Sequence, residues 1–211
     1  GVSVTIIEAL PNIISAQGMS LSKTLTEAFT KKGIVIKTNH SVKSIDTHDD
    51  HLLIHLDKGD PLRVDKALVA VGRKLNPENL SLNNAGLKPC PKGSIIVNEK
   101  METEVPGIYA IGDITAIAML AHVASHQGIV AATNACGGNA RMHYNAVPAV
   151  IFTQPEIAMV GMTAEEAQQQ GLKVNIGKFP FQALGKSVAT NHTEGFVEVI
   201  ADPETGEIYG A

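Results

Sequence analysis

The sequence is poor in cysteine: only Cys90 and Cys136 occur, far apart, and no CxxC is present. Two such thiols build no disulfide framework. Reduced thiols in a cytosolic compartment are therefore expected, and the localisation is read as cytoplasmic. Basic residues are also scarce. Lys and Arg number 17 against 21 Asp and Glu, for a net charge of -4. A general nucleic-acid binder carries the opposite excess, so no nucleic-acid partner is expected. No apolar run approaches the roughly 20 residues that span a bilayer, and no membrane partner is expected. Internal repeats, low-complexity tracts and a charged-then-apolar signal peptide are missing too.

What is present is a sequence of short structural signals. Residues 2–7 form a β-branched apolar run ending at Glu8, which predicts a buried strand. A helix is predicted over 18–32, with Leu21, Leu25, Ala28 and Phe29 on one face and Gly33 as its stop. Residues 34–38 are the next strand, so the order is that of a parallel α/β unit. Residues 42–47, 52–56 and 62–64 then read as an antiparallel meander turning at Lys58-Gly59-Asp60. A further buried strand is predicted over 67–71, and residues 74–94, rich in Asn, Pro and Gly, as a connection. Strands at 95–97 and 108–111 precede a helix over 120–135, ended by Gly137-Gly138.

The character changes after Tyr144. Strands are predicted at 147–152, 157–161, 174–179 and 196–200. Thr163-Ala164-Glu165-Glu166 is a capping box opening a short helix that Gly171 closes. The last residues fall inside a strand pattern, and the first already read as the interior of a domain, so the expectation is a piece of a longer chain.

Several residues carry chemical implications. Glu8 ends a strand, where a carboxylate suits the vicinal diol of an adenine ribose and repels a 2′-phosphate. Ala9, Leu10 and Pro11 follow it, with no base to receive such a phosphate, so NAD is favoured over NADP. An exposed strand-end Glu is common in any α/β protein, and Glu8 alone does not decide. Gly72, after Ala70-Val71, would let a ligand approach the backbone, although a plain turn glycine looks the same. Ile108-Tyr109-Ala110-Ile111-Gly112-Asp113 is more specific: a strand delivers Gly and then Asp into a crevice, where the carboxylate can accept from a ribitol hydroxyl. Met119-Leu120-Ala121-His122 follows where a helix starts, and unpaired N–H groups there suit a flavin carbonyl that gathers negative charge. His122 and His126 have helical spacing, but Val123 replaces the Glu of HExxH, so no metal site is expected.

Taken in order, these segments resemble the flavoprotein disulfide reductases. The resemblance rests on Val4-Thr5-Ile6-Ile7-Glu8, Ala70-Val71-Gly72-Arg73, the run 108–113, and Phe152-Thr153-Gln154-Pro155-Glu156-Ile157-Ala158-Met159-Val160-Gly161. Met119-Leu120-Ala121-His122 is most similar to the dihydrolipoamide dehydrogenase branch of that family. The implied fold class is α/β and α+β: partial Rossmann-like nucleotide-binding domains followed by the start of an α+β dimerisation domain. The implied division is 1–72 as part of an NAD-binding domain, 73–143 as a second segment of the FAD-binding and central domain, and 144–211 as the first part of the dimerisation domain.

The resemblance also implies the chemistry. Dihydrolipoamide reduces an enzyme disulfide, and electrons pass through FAD to NAD. Glu8, Val42 and Gly72 fall where the family contacts NAD, and Asp113, Met119, Leu120, Ala121 and His122 where it contacts FAD. The implied partners are a second copy of the chain and the lipoyl domain of a 2-oxoacid dehydrogenase complex or a related system. The family's GxGxxG, its CxxxxC redox pair and its His-Pro segment do not occur in these residues, and neither Cys90 nor Cys136 has the spacing to replace the pair. No catalytic residue is therefore assigned, and the 211 residues alone are expected to be inactive. Another disulfide reductase, a soluble pyridine-nucleotide transhydrogenase, or a non-catalytic packing unit are the alternatives.

Overall fold

The computed structural model describes residues 1–211. They form two compact units: one made of Gly1–Val69 with Val150–Ala211, the other of Ala70–Ala149. The class is the mixed α/β and α+β one that the sequence predicts.

Strand β1 (Thr5–Ile7) runs into helix α1 (Met19–Lys31), which returns to β2 (Val35–Lys37). β1 and β2 pair in parallel, Thr5 opposite Val35 and Ile7 opposite Lys37. Leu25 is only 2% exposed and packs with Ile13 and Ile157, with Leu21, Phe29, Ile36 and Ile151 around them. This apolar cluster joins the first segment of the unit to the last. Truncating a Leu buried this fully costs about 2–5 kcal/mol. Polar contacts reinforce the joint: Lys32 Nζ donates to the Gln154 carbonyl at 2.6 Å, and Lys178 Nζ to Ser20 Oγ at 2.7 Å. The N-cap of α1 is Gly18, which has no side chain to cap with, and Glu165 supplies the acceptor for Met19 N–H at 3.2 Å.

The meander follows as predicted: β3 (Val42–Thr47), β4 (Leu52–Leu56) and β5 (Leu62–Val64) form an antiparallel sheet in the order β3-β4-β5.

Three expected strands are corrected. Residues 67–71 pair with no strand, with Leu68 92% and Val71 93% exposed. Residues 95–97 and 108–111 form no ladder either. Ile95 N–H goes to the Ile114 carbonyl, and Ala110 N–H to that of Met101. Only an isolated bridge between Glu102 and Tyr109 remains. The apolar patterns are those of buried strands, but a strand exists only where a neighbour takes its N–H and C=O groups. Here the neighbours supply single bonds and one bridge, not a continuous ladder.

The second unit is built on helix α2 (Ala121–Ala135), whose inner face carries Val123, Val130 and Ala131 against Met101 and Met142. The chain then re-enters the first unit. β6 (Ala149–Ile151) and β7 (Ile157–Met159) pair, and α3 (Ala164–Gln169) begins with the predicted capping box. Thr163 Oγ1 accepts from Glu166 N–H at 3.1 Å, and Glu166 Oε2 from Thr163 N–H at 2.8 Å. β8 (Asn175–Pro180), short helix α4 (Gly185–Ala189), β9 (Phe196–Ala201) and β10 (Ile208–Gly210) complete the unit, with sheet order β10-β9-β8. Lys186 lies in α4.

Two backbones cross closely in the first unit. A Cβ on Gly161 would lie 2.2 Å from the Tyr209 carbonyl oxygen, and one on Gly210 2.0 Å from that of Met162. Both neighbours are main chain and cannot swing aside. Gly210→Ala is expected to lower stability by about 3 kcal/mol or more, the upper end for overpacking. Gly177→Ala, which meets nothing within 4 Å, should stay within about 0.5 kcal/mol. Denaturant midpoints of the two variants make the comparison, and equal midpoints would contradict the crossing.

The β9–β10 turn is held by Asp202. Its carboxylate accepts from the N–H of Thr205 at 2.7 Å and of Glu204 at 2.8 Å, and from the Tyr209 hydroxyl at 2.9 Å. These bonds favour the charged form and hold the carboxyl down from 3.8 to about 2. The same bond to Asp202 pushes the Tyr209 phenol up. A depressed carboxyl stabilises the fold above its unfolded value and stops doing so as pH falls through its folded value. The turn should thus hold at pH values above 3.8 and loosen as the pH falls to about 2. Carboxyl-carbon NMR of Asp202 checks this, and a midpoint at the ordinary Asp value would refute it.

Candidate functional site

The expected site residues divide between the two units. In the first, Glu8 follows β1, with its N–H bonded to the Lys37 carbonyl at 2.9 Å and its own carbonyl accepting from His40 N–H at 3.1 Å. The segment leading to Val42 therefore runs directly past the end of β1. Glu8 Oε1 accepts from Leu10 N–H at 2.8 Å, which fixes the carboxylate at the strand tip and leaves Oε2 without a hydrogen bond. Val42 is half-exposed and opens β3 beside a register shift between Val42 and Ser44. The two residues thus frame one edge of the α/β unit.

The remaining residues lie in the second unit. Gly72 has a φ of 117°, with open space where a Cβ would point. It follows unpaired chain with a bend at Val71, not the expected strand. Its neighbour Arg73 places Nε 3.4 Å from Asp113 Oδ2, with the Arg73 side chain largely and that of Asp113 about half in solvent. An ion pair this exposed is worth about 0–1 kcal/mol, so Asp113 stays open to another donor. Asp113 itself lies in a 3-10 turn, Gly112–Thr115, not at the tip of a strand.

Gly112 has the left-handed φ of 76°, and a Cβ there would reach the Ala124 Cβ at 3.5 Å. The left-handed conformation therefore disfavours a side chain there, while the approach of α2 by itself would leave an ordinary van der Waals contact. The Gly112 N–H donates to Gln127 Oε1 at 2.6 Å, and Thr115 Oγ1 donates to the Gly112 carbonyl at 2.8 Å. Gln127 is 0% exposed, and its Nε2 donates to the Tyr144 hydroxyl at 2.9 Å. Gln127 and Tyr144 were not among the expected site residues. The available signal was that Val123, Gln127, Val130 and Ala131 share one helical stripe, in which Gln127 is the polar exception.

Helix α2 starts at Ala121, after extended Leu120 as N-cap, and no side chain caps it. The N–H groups of its first turn carry the positive end of the helix dipole and are free to meet an acceptor. The His122 ring is engaged elsewhere: its Nε2 donates to the Pro148 carbonyl at 3.0 Å. The helix start therefore offers backbone donors more than an imidazole. The Gln127 bond ties the turn that carries Gly112 and Asp113 to the second turn of α2, so a glycine gap, a half-exposed carboxylate and an uncapped helix end belong to two elements joined to each other. That donor set fits a ligand with hydroxyl groups at one end and an electron-rich carbonyl at the other.

The chain belongs to the pyridine nucleotide-disulphide oxidoreductases: residues 1–128 match that family, and residues 147–211 match its dimerisation domain. Among curated relatives, the dihydrolipoyl dehydrogenase of Chlamydia pneumoniae is 46% identical over 211 residues, covering 100% of this chain and 46% of that protein. That of Thermus scotoductus is 41% identical over 215 aligned positions, covering 100% of this chain and 46% of its own length. The chain spans about half the length of the curated relatives it matches.

Solved structures agree in fold. LpdA from Mycobacterium tuberculosis superposes with a TM-score of 0.92 at 25% identity, over 99% of this chain and 46% of that one. The HOCl-induced flavoprotein disulfide reductase RclA from Escherichia coli gives 0.90 at 25% identity, over 100% of this chain and 48% of that one. No helix is long and apolar enough to cross a membrane.

Proposed function

We propose that these 211 residues form parts of the NAD-binding, FAD-binding and dimerisation domains of a dihydrolipoamide dehydrogenase, which oxidises dihydrolipoamide and reduces NAD⁺. The observation that carries the reading is the grouping of Gly112, Asp113 and the uncapped start of α2, supported by relatives of that activity along the whole chain. In this reading residues 1–72 contribute to the NAD-binding domain, 73–143 to the FAD-binding and central domain, and 144–211 to the dimerisation domain. The working unit is a cytoplasmic homodimer served by a lipoyl domain.

Bound FAD would supply two-electron transfer between a dithiol and NAD⁺. The chain's own residues bind and orient. Asp113 would accept a hydrogen bond from a ribitol hydroxyl, Gly112 would leave room for the flavin chain, and the N–H groups near Met119, Leu120, Ala121 and His122 would donate to the ring carbonyl. Glu8 takes the adenine-ribose hydroxyls, with Val42 and Gly72 lining the NAD path. Cys90 and Cys136 are both free thiols, and neither is spaced as a redox pair, so the thiol chemistry belongs to cysteines outside these residues. A disulfide reductase with another substrate is the second reading, favoured by the likeness to RclA.

The full-length protein should produce NADH from NAD⁺ and dihydrolipoamide, and the 211 residues alone should not. No lipoamide-dependent turnover, with turnover of another disulfide, would select the second reading. Asp113→Ala should lower FAD affinity by about 1.5–3 kcal/mol, the value of a hydrogen bond to a charged group, and leave NAD affinity nearly unchanged. Flavin release on dialysis measures it. Combining Glu8→Ala with Ala9→Arg should narrow the kcat/KM gap between NAD and NADP; an unchanged ratio would take Glu8 away from the ribose.

The helix start gives a separate test. Leu120 has φ -128° and ψ 133°, extended backbone that tolerates a following proline. Ala121→Pro thus removes one N–H without breaking α2, because proline suits the first helical position. It should shift the flavin reduction potential and slow turnover, at a cost below the roughly 2.7–4 kcal/mol of an oxyanion-hole donor. His122→Gln should leave most activity intact. The opposite ranking would assign the His122 side chain a direct role.

A further inference from the structure

We propose that Gln127 is a positioning residue for the flavin contact at Asp113, acting through the Gly112 N–H. The inference rests on the function proposed above and extends it to a residue that touches no ligand. Gln127 is 0% exposed, on the inner face of α2. An amide there without partners would cost about 1–3 kcal/mol, so an apolar residue would serve packing better. Instead, both ends of the amide are used. Oε1 accepts from Gly112 N–H at 2.6 Å, and Nε2 donates to the Tyr144 hydroxyl at 2.9 Å. That hydroxyl in turn points at Met101 Sδ, 3.9 Å away.

The target of this chain of bonds is informative. Gly112 immediately precedes Asp113, and its carbonyl is held from the other side by the buried Thr115 hydroxyl at 2.8 Å. Both polar groups of one glycine are therefore clamped by buried side chains. A glycine at positive φ has the widest conformational freedom of any residue and would otherwise let the Asp113 carboxylate wander. Gln127 lies two turns or less into the helix whose first N–H groups form the other half of the site. One amide thus ties the turn that carries the carboxylate to the helix that carries the donors. Preorganisation of this kind strengthens binding by lowering the ordering cost, without any new contact.

The test uses the full-length protein with and without FAD, as Gln127→Met, Gln127→Glu and Tyr144→Phe. Met keeps the bulk and removes the amide; Glu keeps an acceptor for Gly112 and can accept from the Tyr144 hydroxyl. In the flavin-free protein, hydrogen exchange over residues 110–116 should accelerate by about tenfold in Gln127→Met, as for one lost hydrogen bond. Exchange over 121–135 should stay at the parent rate. The dissociation constant for FAD should rise by about the same factor, with Gln127→Glu restored toward the parent and Tyr144→Phe between the two.

Faster exchange spread evenly over 110–116 and 121–135 would make Gln127 a packing residue only and overturn the proposal. So would an unchanged FAD affinity in Gln127→Met. A parent protein that takes up no flavin would sink the proposed function itself, an outcome distinct from a flavin-binding parent whose Gln127→Met variant binds equally well.

Discussion

A backbone N–H or C=O withdrawn from water needs a partner, and this chain is organised by where such partners are found. At Gly112 the partners are two buried side chains, Gln127 and Thr115, and the turn they fix carries Asp113. At β1 and β2 the partners are each other, and the strand end so formed holds Glu8. At Asp202 a single carboxylate collects two N–H groups and a phenol and closes the β9–β10 turn. The two groups of candidate ligand residues are each anchored to backbone in this way rather than to flexible side chains. No buried side-chain polar atom is left without a hydrogen bond.

The same constraint explains the unpaired segments. Residues 67–71 have the β-branched, apolar composition of an interior strand, yet Leu68 and Val71 lie almost wholly in solvent. Composition records what a segment would do between two neighbours. It does not supply them. Residues 95–97 and 108–111 form no ladder either, but the Ile95 N–H is taken by Ile114 of the Gly112–Thr115 turn and the Ala110 N–H by Met101. Asp113 lies in that turn, and the strand expected to carry it is absent.

Much of the candidate site was legible because its signals are local. Gly before Asp, a following helix start with small residues, and a Glu at a strand tip are features of adjacent residues. Gln127 was harder to read, since a glutamine in a helix is ordinarily solvent-facing. Only its position on the stripe of Val123, Val130 and Ala131 marks it, and its partner Gly112 is 15 positions away. The pairing of Glu165 with the start of α1 spans 146 positions and has no local signature at all.

The sequence by itself determined the helices α1 and α2, the capping box of α3, the β3-β4-β5 meander and the family to which the chain belongs. These follow from periodicity, turn chemistry and short motifs, which act over a few residues and need no knowledge of the rest. Tertiary structure alone decided that Gly1–Val69 and Val150–Ala211 fold as one unit around Leu25 and Ile157. It also decided that Gly161 and Gly210 cross at main-chain distance, and that Gln127 turns inward to hold Gly112. Those outcomes depend on which distant surfaces meet, because burial and hydrogen-bond satisfaction are settled only when both partners are in place.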